Sequence, residues 1–291
     1  MENSLLTQVF LPLALAFVML GIGLGLKPGN FRHLLKFPWV ITAGLAGQLL
    51  FMPALAFLLA SILSLSPSLA VGVMLLAACP GGTTSNVMSQ LLKADMALSV
   101  TLTALSTLIC IVTTPVILGL SLWAFTGQDV GSIDVSGVTR GILIIALLPV
   151  MLGMFIREAQ PAIAIRLEPW CRRFSLIFLV LLVITILVTQ WTILTRYGAF
   201  VIVCATILSF GSCLIGWSCG FISKANVRQA RSLCIEVGIQ NAALAIVIAI
   251  SILQKPDYAA FAGIYGLVMY LAPVFILKMA MYSSRRSAKA Q

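Results

Sequence analysis

Charge is scarce in this sequence. Asp, Glu, Lys and Arg make up 9% of its 291 residues, and apolar residues make up 61%. A soluble domain of this length carries roughly 25% charged residues to cover its surface. The composition therefore points to a lipid environment and leaves no soluble domain with a core of its own. Histidine is almost missing: His33 stands alone, with no acid or nucleophile near it in sequence. The seven cysteines (Cys79, Cys110, Cys171, Cys204, Cys213, Cys219 and Cys234) form no CxxC pair and sit in apolar stretches. They read as small buried hydrophobes. There is no HExxH, no GxSxG and no membrane-embedded aspartate pair, so the common hydrolytic sites are absent and an enzyme is not expected.

Long apolar runs are what the chain does have. A spanning helix needs about 20 mostly apolar residues. Nine stretches qualify, at about 5–26, 38–60, 68–91, 96–124, 139–156, 174–194, 198–222, 229–252 and 259–282. The first lacks the basic flank of a cleaved signal and is kept as a helix. With the N-terminus outside, 15 of the 18 Lys and Arg residues fall on the inner side. They include Lys27, Arg32, Lys93, Arg157, Arg166, Arg172, Arg228, Arg231 and the C-terminal Arg285, Arg286 and Lys289. Only Arg140, Arg196 and Lys255 face out. The net charge of +10 is thus a topology signal rather than a nucleic-acid surface. It implies a multi-pass protein of the cell's inner (plasma) membrane with a cytoplasmic C-terminus.

Two of the nine stretches are interrupted. The third contains Cys79-Pro80-Gly81-Gly82-Thr83-Thr84-Ser85-Asn86, and the eighth contains Glu236-Val237-Gly238-Ile239-Gln240-Asn241. Free peptide groups survive at membrane depth only in a protein interior or a wet cavity. The two stretches are five helices apart and run in opposite directions. Helices two to four and seven to nine then form three-helix units of inverted topology, the usual setting of a transporter site at the midplane.

Of the acidic residues, only Glu236 lies well inside a span; Glu2, Asp95, Asp129, Asp134, Glu158, Glu168 and Asp257 fall in loops or at span ends. A carboxylate there costs at least about 2.5 kcal/mol and is usually functional. No span offers a Lys or Arg near it, so a proton or a bound cation must neutralise it. Oxygen ligands lie at the same depth: Gln48, Ser85, Asn86, Ser99, Thr103 and Gln240. Ser99 and Thr103 share one helix face at i, i+4. Taken alone, each hydroxyl could simply bond to its own helix, and Gln48 could be an interhelical bond. Together they suit a hard monovalent cation better than zinc, copper or iron. An anion would find the half-helix starts near Thr83 and Ile239, with their free amides. Two monovalent cations would balance Glu236 and one monovalent anion, leaving a neutral loaded site.

These motifs, Cys79–Val87 (CPGGTTSNV) and Glu236–Ala245 (EVGIQNAALA), resemble those of the bile acid:sodium symporter family. The resemblance covers nearly the whole chain. It implies an all-α inverted-repeat transporter of nine transmembrane helices, lacking the first of the ten that many bacterial members have. The two interrupted helices would cross. A core would comprise residues about 38–124 and 198–282, and a panel about 5–26, 139–156 and 174–194, all in one domain over 1–291. The family pattern places one sodium ion on Ser85, Asn86, Ser99, Thr103 and Glu236. A second would sit on Gln48, Glu236, Gln240 and the carbonyls of Val237 and Ile239. Thr83, Thr84 and Asn241 would face the substrate, a small organic anion such as a bile acid, pantoate or ketopantoate. Sodium-coupled uptake by alternating access follows from the family. It needs no cofactor beyond the coupling ions and no protein partner. Proton coupling through Glu236 is the alternative. Cys79 also invites comparison with the arsenite effluxers of similar fold, although a thiolate carrier would not need so many oxygens.

Overall fold

The computed structural model describes residues 6–26, 36–127, 135–189 and 191–278, with only the backbone at 6, 7, 83, 135, 192–194, 196 and 197. His33, Lys27, Arg32, Glu2, Asp129, Asp134 and the C-terminal basic cluster lie outside the described residues. Among the described residues eleven helical rods follow one another: α1 (6–25), α2 (Pro38–Ile62), α3 (Pro67–Ala78), α4 (Thr83–Leu91), α5 (Met96–Thr126), α6 (135–159), α7 (Pro161–Thr189), α8 (Trp191–Ile222), α9 (Val227–Gly238), α10 (Ala242–Ile252) and α11 (Pro256–Lys278). Among the described residues no strand forms, and the one β-type pairing is an isolated bridge between Gly81 and Gln240.

Helix starts follow local chemistry. Pro38, Pro67, Pro161 and Pro256 stand at first positions, where a missing N–H costs nothing. Asp95 caps α5 by accepting from the amides of Ala97 and Leu98. Asn226 and Gln229 close a reciprocal capping box on α9. Three prolines inside the spans act on the turn before them. The backbone widens to a π-helical turn at Leu6–Phe10 before Pro12, at Gly47–Phe51 before Pro53 and at Leu143–Leu147 before Pro149. Each widening accommodates the ring that would otherwise strike a carbonyl four residues back.

Seven of the rods are long and apolar enough to cross a membrane, and α3 and α10 are shorter apolar helices. Large apolar side chains such as Phe155, Ile177 and Val188 lie on the outside, more than half exposed. Trp39, Trp123, Trp170 and Trp191 are exposed as well. An outer surface of this kind is stable only in lipid, and the chain is a multi-pass membrane protein.

One stretch departs from the sequence-based expectation. Residues 157–173, expected as a loop with the next span beginning near 174, are almost wholly helical. The chain turns at Gln160 and α7 starts at Pro161. Arg166, Glu168, Arg172 and Arg173 therefore lie on a helix. At 1.5 Å per residue its 29 residues reach about 43 Å, well beyond the roughly 30 Å of hydrocarbon. The charged first third can project past the lipid, and Glu168 pairs with Arg172 one turn on. Likewise Arg196, expected in a loop, falls within α8.

Close backbone approach sets the packing of α1. A Cβ on Gly23 would strike the Val150 carbonyl and Gly153 of α6, and one on Gly21 would meet Cys171 of α7 at 2.5 Å. On α8, Gly216 lies against the Leu233 carbonyl of α9. Glycines at these crossings let helices without polar glue reach van der Waals distance.

Candidate cation site at the crossing of two interrupted segments

Two breaks meet in the interior. The first runs from Cys79 to Gly82 between α3 and α4. The second runs from Ile239 to Asn241 between α9 and α10. The Asn241 amide donates to the Pro80 carbonyl at 2.9 Å, and Gly81 pairs with Gln240. Two of the carbonyls freed by the breaks are met by side chains. Thr114 Oγ1 donates to the Ala78 carbonyl at 2.7 Å, and the buried Tyr265 hydroxyl donates to the Gly238 carbonyl at 2.8 Å. Asn241 Oδ1 accepts the Leu244 amide and so caps α10. The crossing is thus a small piece of irregular backbone with several of its peptide groups internally bonded. Neither Thr114 nor Tyr265 was expected from the sequence. A polar atom beside Pro115 and a tyrosine inside an apolar run were the available signals.

Glu236, at the end of α9, lies beside this crossing and is 1% exposed. Its Oε1 accepts from Ser85 Oγ at 2.7 Å and from Ser99 Oγ at 2.5 Å. Its Oε2 accepts from Thr103 Oγ1 at 2.9 Å. No Lys or Arg reaches it among the described residues. Ser99 Oγ is also 2.9 Å from Asn86 Oδ1, Ser85 Oγ is 2.7 Å from the Gly82 carbonyl, and Thr103 Oγ1 is 3.1 Å from the Ser99 carbonyl. Each hydroxyl carries one proton but has two oxygens at bonding distance. The cluster therefore holds more close oxygen pairs than protons to bridge them. All five residues assigned by the family pattern to the first cation converge here.

The second set is more loosely tied. Gln48 is 1% exposed, and neither its Oε1 nor its Nε2 has a hydrogen-bond partner. Gln240 donates from Nε2 to the Val237 carbonyl at 3.0 Å, while its buried Oε1 is unpartnered. Gly81 links the two sets. A methyl there would stand 2.7 Å from Glu236 Oε2, 3.4 Å from Gln48 Nε2 and 3.6 Å from Ser85 Oγ. Val237 and Ile239 are fully buried alongside. A buried amide with both ends unpaired is costly, and the two unpaired amide oxygens, Gln48 Oε1 and Gln240 Oε1, are of the kind a hard cation takes.

A cavity of about 320 Å³ approaches the cluster from one end. Asn86, Gln90 and Val100 line it on one side, and Gly21, Gly25 and Arg172 on the other. Thr84 and Asn241, expected to face the substrate, are buried at the crossing and do not line it. The side chain of Thr83 lies outside the described residues.

Comparison with known proteins decides the relationship. A model of the sodium bile acid symporter family matches residues 12–196. The chain belongs to this family. A protein of Bacillus subtilis named "Uncharacterized sodium-dependent transporter YocS" is 32% identical over 248 residues, covering 84% of this chain and 76% of that protein. The rice "Probable sodium/metabolite cotransporter BASS2, chloroplastic" is 31% identical over 249 residues, covering 86% of this chain. The human "Sodium/bile acid cotransporter 4" is 29% identical over 285 residues and 95% of this chain. The chain spans only 58% of the rice symporter-family member and 64% of the human one.

Proposed function

We propose that this protein is a sodium-coupled symporter that takes up a small organic anion by alternating access. The observation that carries this is the Glu236 cluster: a buried carboxylate with no basic partner among the described residues, ringed by three hydroxyls that have fewer protons than oxygen neighbours. A sodium ion among Ser85, Asn86, Ser99, Thr103 and Glu236 would replace the missing protons with a charge. Gln48, Gln240, Glu236 and the carbonyls of Val237 and Ile239 would hold a second. Two sodium ions, Glu236 and one anion sum to neutrality, which lowers the cost of moving the loaded site through lipid. The names of the relatives, all sodium transporters or cotransporters, support the same reading.

In this reading the interrupted α3–α4 and α9–α10 also span, giving nine transmembrane segments built as an inverted repeat, with the N-terminus outside. The tight contacts of α1 with α6 and α7 support treating these three as the panel, and the crossing with its neighbours as the core. The cavity beside Asn86 lies on the side of α4 that carries Lys93, the cytoplasmic side by the distribution of Lys and Arg, and supports release inward. Bile acids, pantoate and ketopantoate are the substrate classes to screen.

The test is the melting temperature of the detergent-purified protein in sodium against potassium or choline at equal ionic strength. A cation that binds only the folded state stabilises it by mass action. Wild type is expected to melt higher in sodium, and Glu236→Ala to lose that rise, since both sites share its charge. No rise at saturating sodium would overturn sodium coupling and direct attention to a proton on Glu236.

A further inference from the structure

At the far end of α4 from the crossing, a second pocket of about 560 Å³ opens to the surface. Lys93, Arg228 and Arg231 line it, together with Gln90, Ala94 and Met96. The two guanidinium groups have little else to hold. Arg228 reaches the Ala94 carbonyl and Arg231 the Leu92 carbonyl only at 3.5 Å. Neither arginine nor Lys93 forms an ion pair among the described residues. Asp95, two residues from Lys93, is occupied in capping α5.

The position makes this clustering electrostatically costly. Arg228 and Arg231 stand in the first turns of α9, at the positive end of its dipole, where cations are disfavoured. Two arginines on a helix N-terminus, with Lys93 of the α4–α5 turn in the same pocket, call for an anion. The surroundings indicate which kind. Leu91 at the end of α4 and Val227 at the start of α9 flank the basic residues and are 69% and 63% exposed. Charged donors beside bare apolar side chains at the end of the spans match a ligand with an anionic head and an apolar tail.

We infer that Lys93, Arg228 and Arg231 form a binding site for the phosphate of an anionic phospholipid, with its acyl chains lying along Leu91 and Val227. Arginine forks grip two phosphate oxygens at once, and basic pockets between spans at the cytoplasmic face are suited to such headgroups. The site shares Gln90 and Met96 with the cavity beside Asn86, so the bound headgroup would sit at the lip of that cavity. The inference depends on the pocket's charge and surroundings and stands whether or not the coupling ion is sodium.

The experiment titrates the purified full-length protein with phosphatidylglycerol, phosphatidylcholine or inorganic phosphate and follows the melting temperature. Phosphatidylglycerol is expected to raise it saturably by roughly 4 °C, with little change from the other two. Arg228→Gln with Arg231→Gln should abolish the rise. Arg228→Lys with Arg231→Lys keeps the topology-setting charge but not the fork, and should need at least about tenfold more lipid. That pair of variants serves if the neutral ones do not fold. An equal rise with phosphatidylcholine, or in the lysine variant, would overturn the site. An equal rise with inorganic phosphate would assign the pocket to a free anion and overturn the lipid.

Discussion

Two adjacent glycines at the first break should respond to alanine in opposite ways. The methyl of Gly81→Ala would stand 2.7 Å from Glu236 Oε2, about 0.8 Å inside ordinary van der Waals contact. Gly81 has no positive φ, so the backbone itself would accept alanine. The strain falls on the carboxylate, which must move away and stretch its bonds to Ser85, Ser99 and Thr103. Overpacking of this kind costs about 1–3 kcal/mol. If about 2 kcal/mol of it falls on the ion-bound geometry, sodium affinity drops roughly 30-fold. Gly82 is the control. Its methyl would find Thr84 Oγ1 at 3.5 Å and Asn241 at 3.7 Å, and its backbone is extended. Gly82→Ala should therefore bind sodium nearly as wild type does. The assay is the sodium dependence of the melting temperature at constant ionic strength. A Gly81→Ala protein with sodium affinity within about threefold of wild type, or an equal loss in Gly82→Ala, would refute the placement of Glu236 against the break.

Two further substitutions test neighbouring claims. Gln48→Leu should leave the protein at least as stable in potassium, because it removes two buried unpaired atoms, and should shrink the stabilisation by sodium. Lower stability in potassium with an unchanged sodium response would exclude Gln48 as a ligand. Tyr265→Phe and Thr114→Val each strip a buried backbone carbonyl of its donor. Each should cost about 2 kcal/mol and lower the melting temperature by roughly 5 °C; unchanged melting would show that water takes the hydroxyl's place.

The chemistry at the crossing was legible in the sequence because it breaks local rules. Pro80-Gly81-Gly82 cannot continue a helix, and Glu236 cannot sit in lipid unaccompanied, so both residues announce themselves. Helix rise put Ser85, Ser99 and Thr103 at the depth of Glu236, and the resemblance of the two motifs to the symporter family joined them to it in one site. Tyr265 and Thr114 were not legible. Each is an ordinary residue of its span until one knows which orphaned carbonyl stands opposite, and that depends on a tertiary contact. The start of α7 was misplaced for a different reason. Arg166, Glu168, Arg172 and Arg173 look like loop residues on a scale of hydropathy, yet a helix longer than the bilayer is thick carries its charge outside the lipid. The basic pocket of Lys93, Arg228 and Arg231 was seen only as a topology signal, since nothing in the sequence brings positions 93 and 228 together.

The hydrogen bonds between the two breaks also bear on how the protein is made. Ser85 and Glu236 are 151 residues apart in the chain. At synthesis rates of about 5–20 residues per second, roughly 8 to 30 s separate the emergence of the first break from that of its partner. Throughout that interval the carbonyl of Pro80 and the peptide groups of Gly81 lack the partners that Gln240 and Asn241 later supply. The growing protein must keep this segment wet, or sheltered by the insertion machinery, until α9 and α10 arrive. The half-built crossing therefore has a lifetime set by the ribosome. A truncation anywhere before Asn241 leaves behind not a smaller transporter but a membrane segment with an open seam.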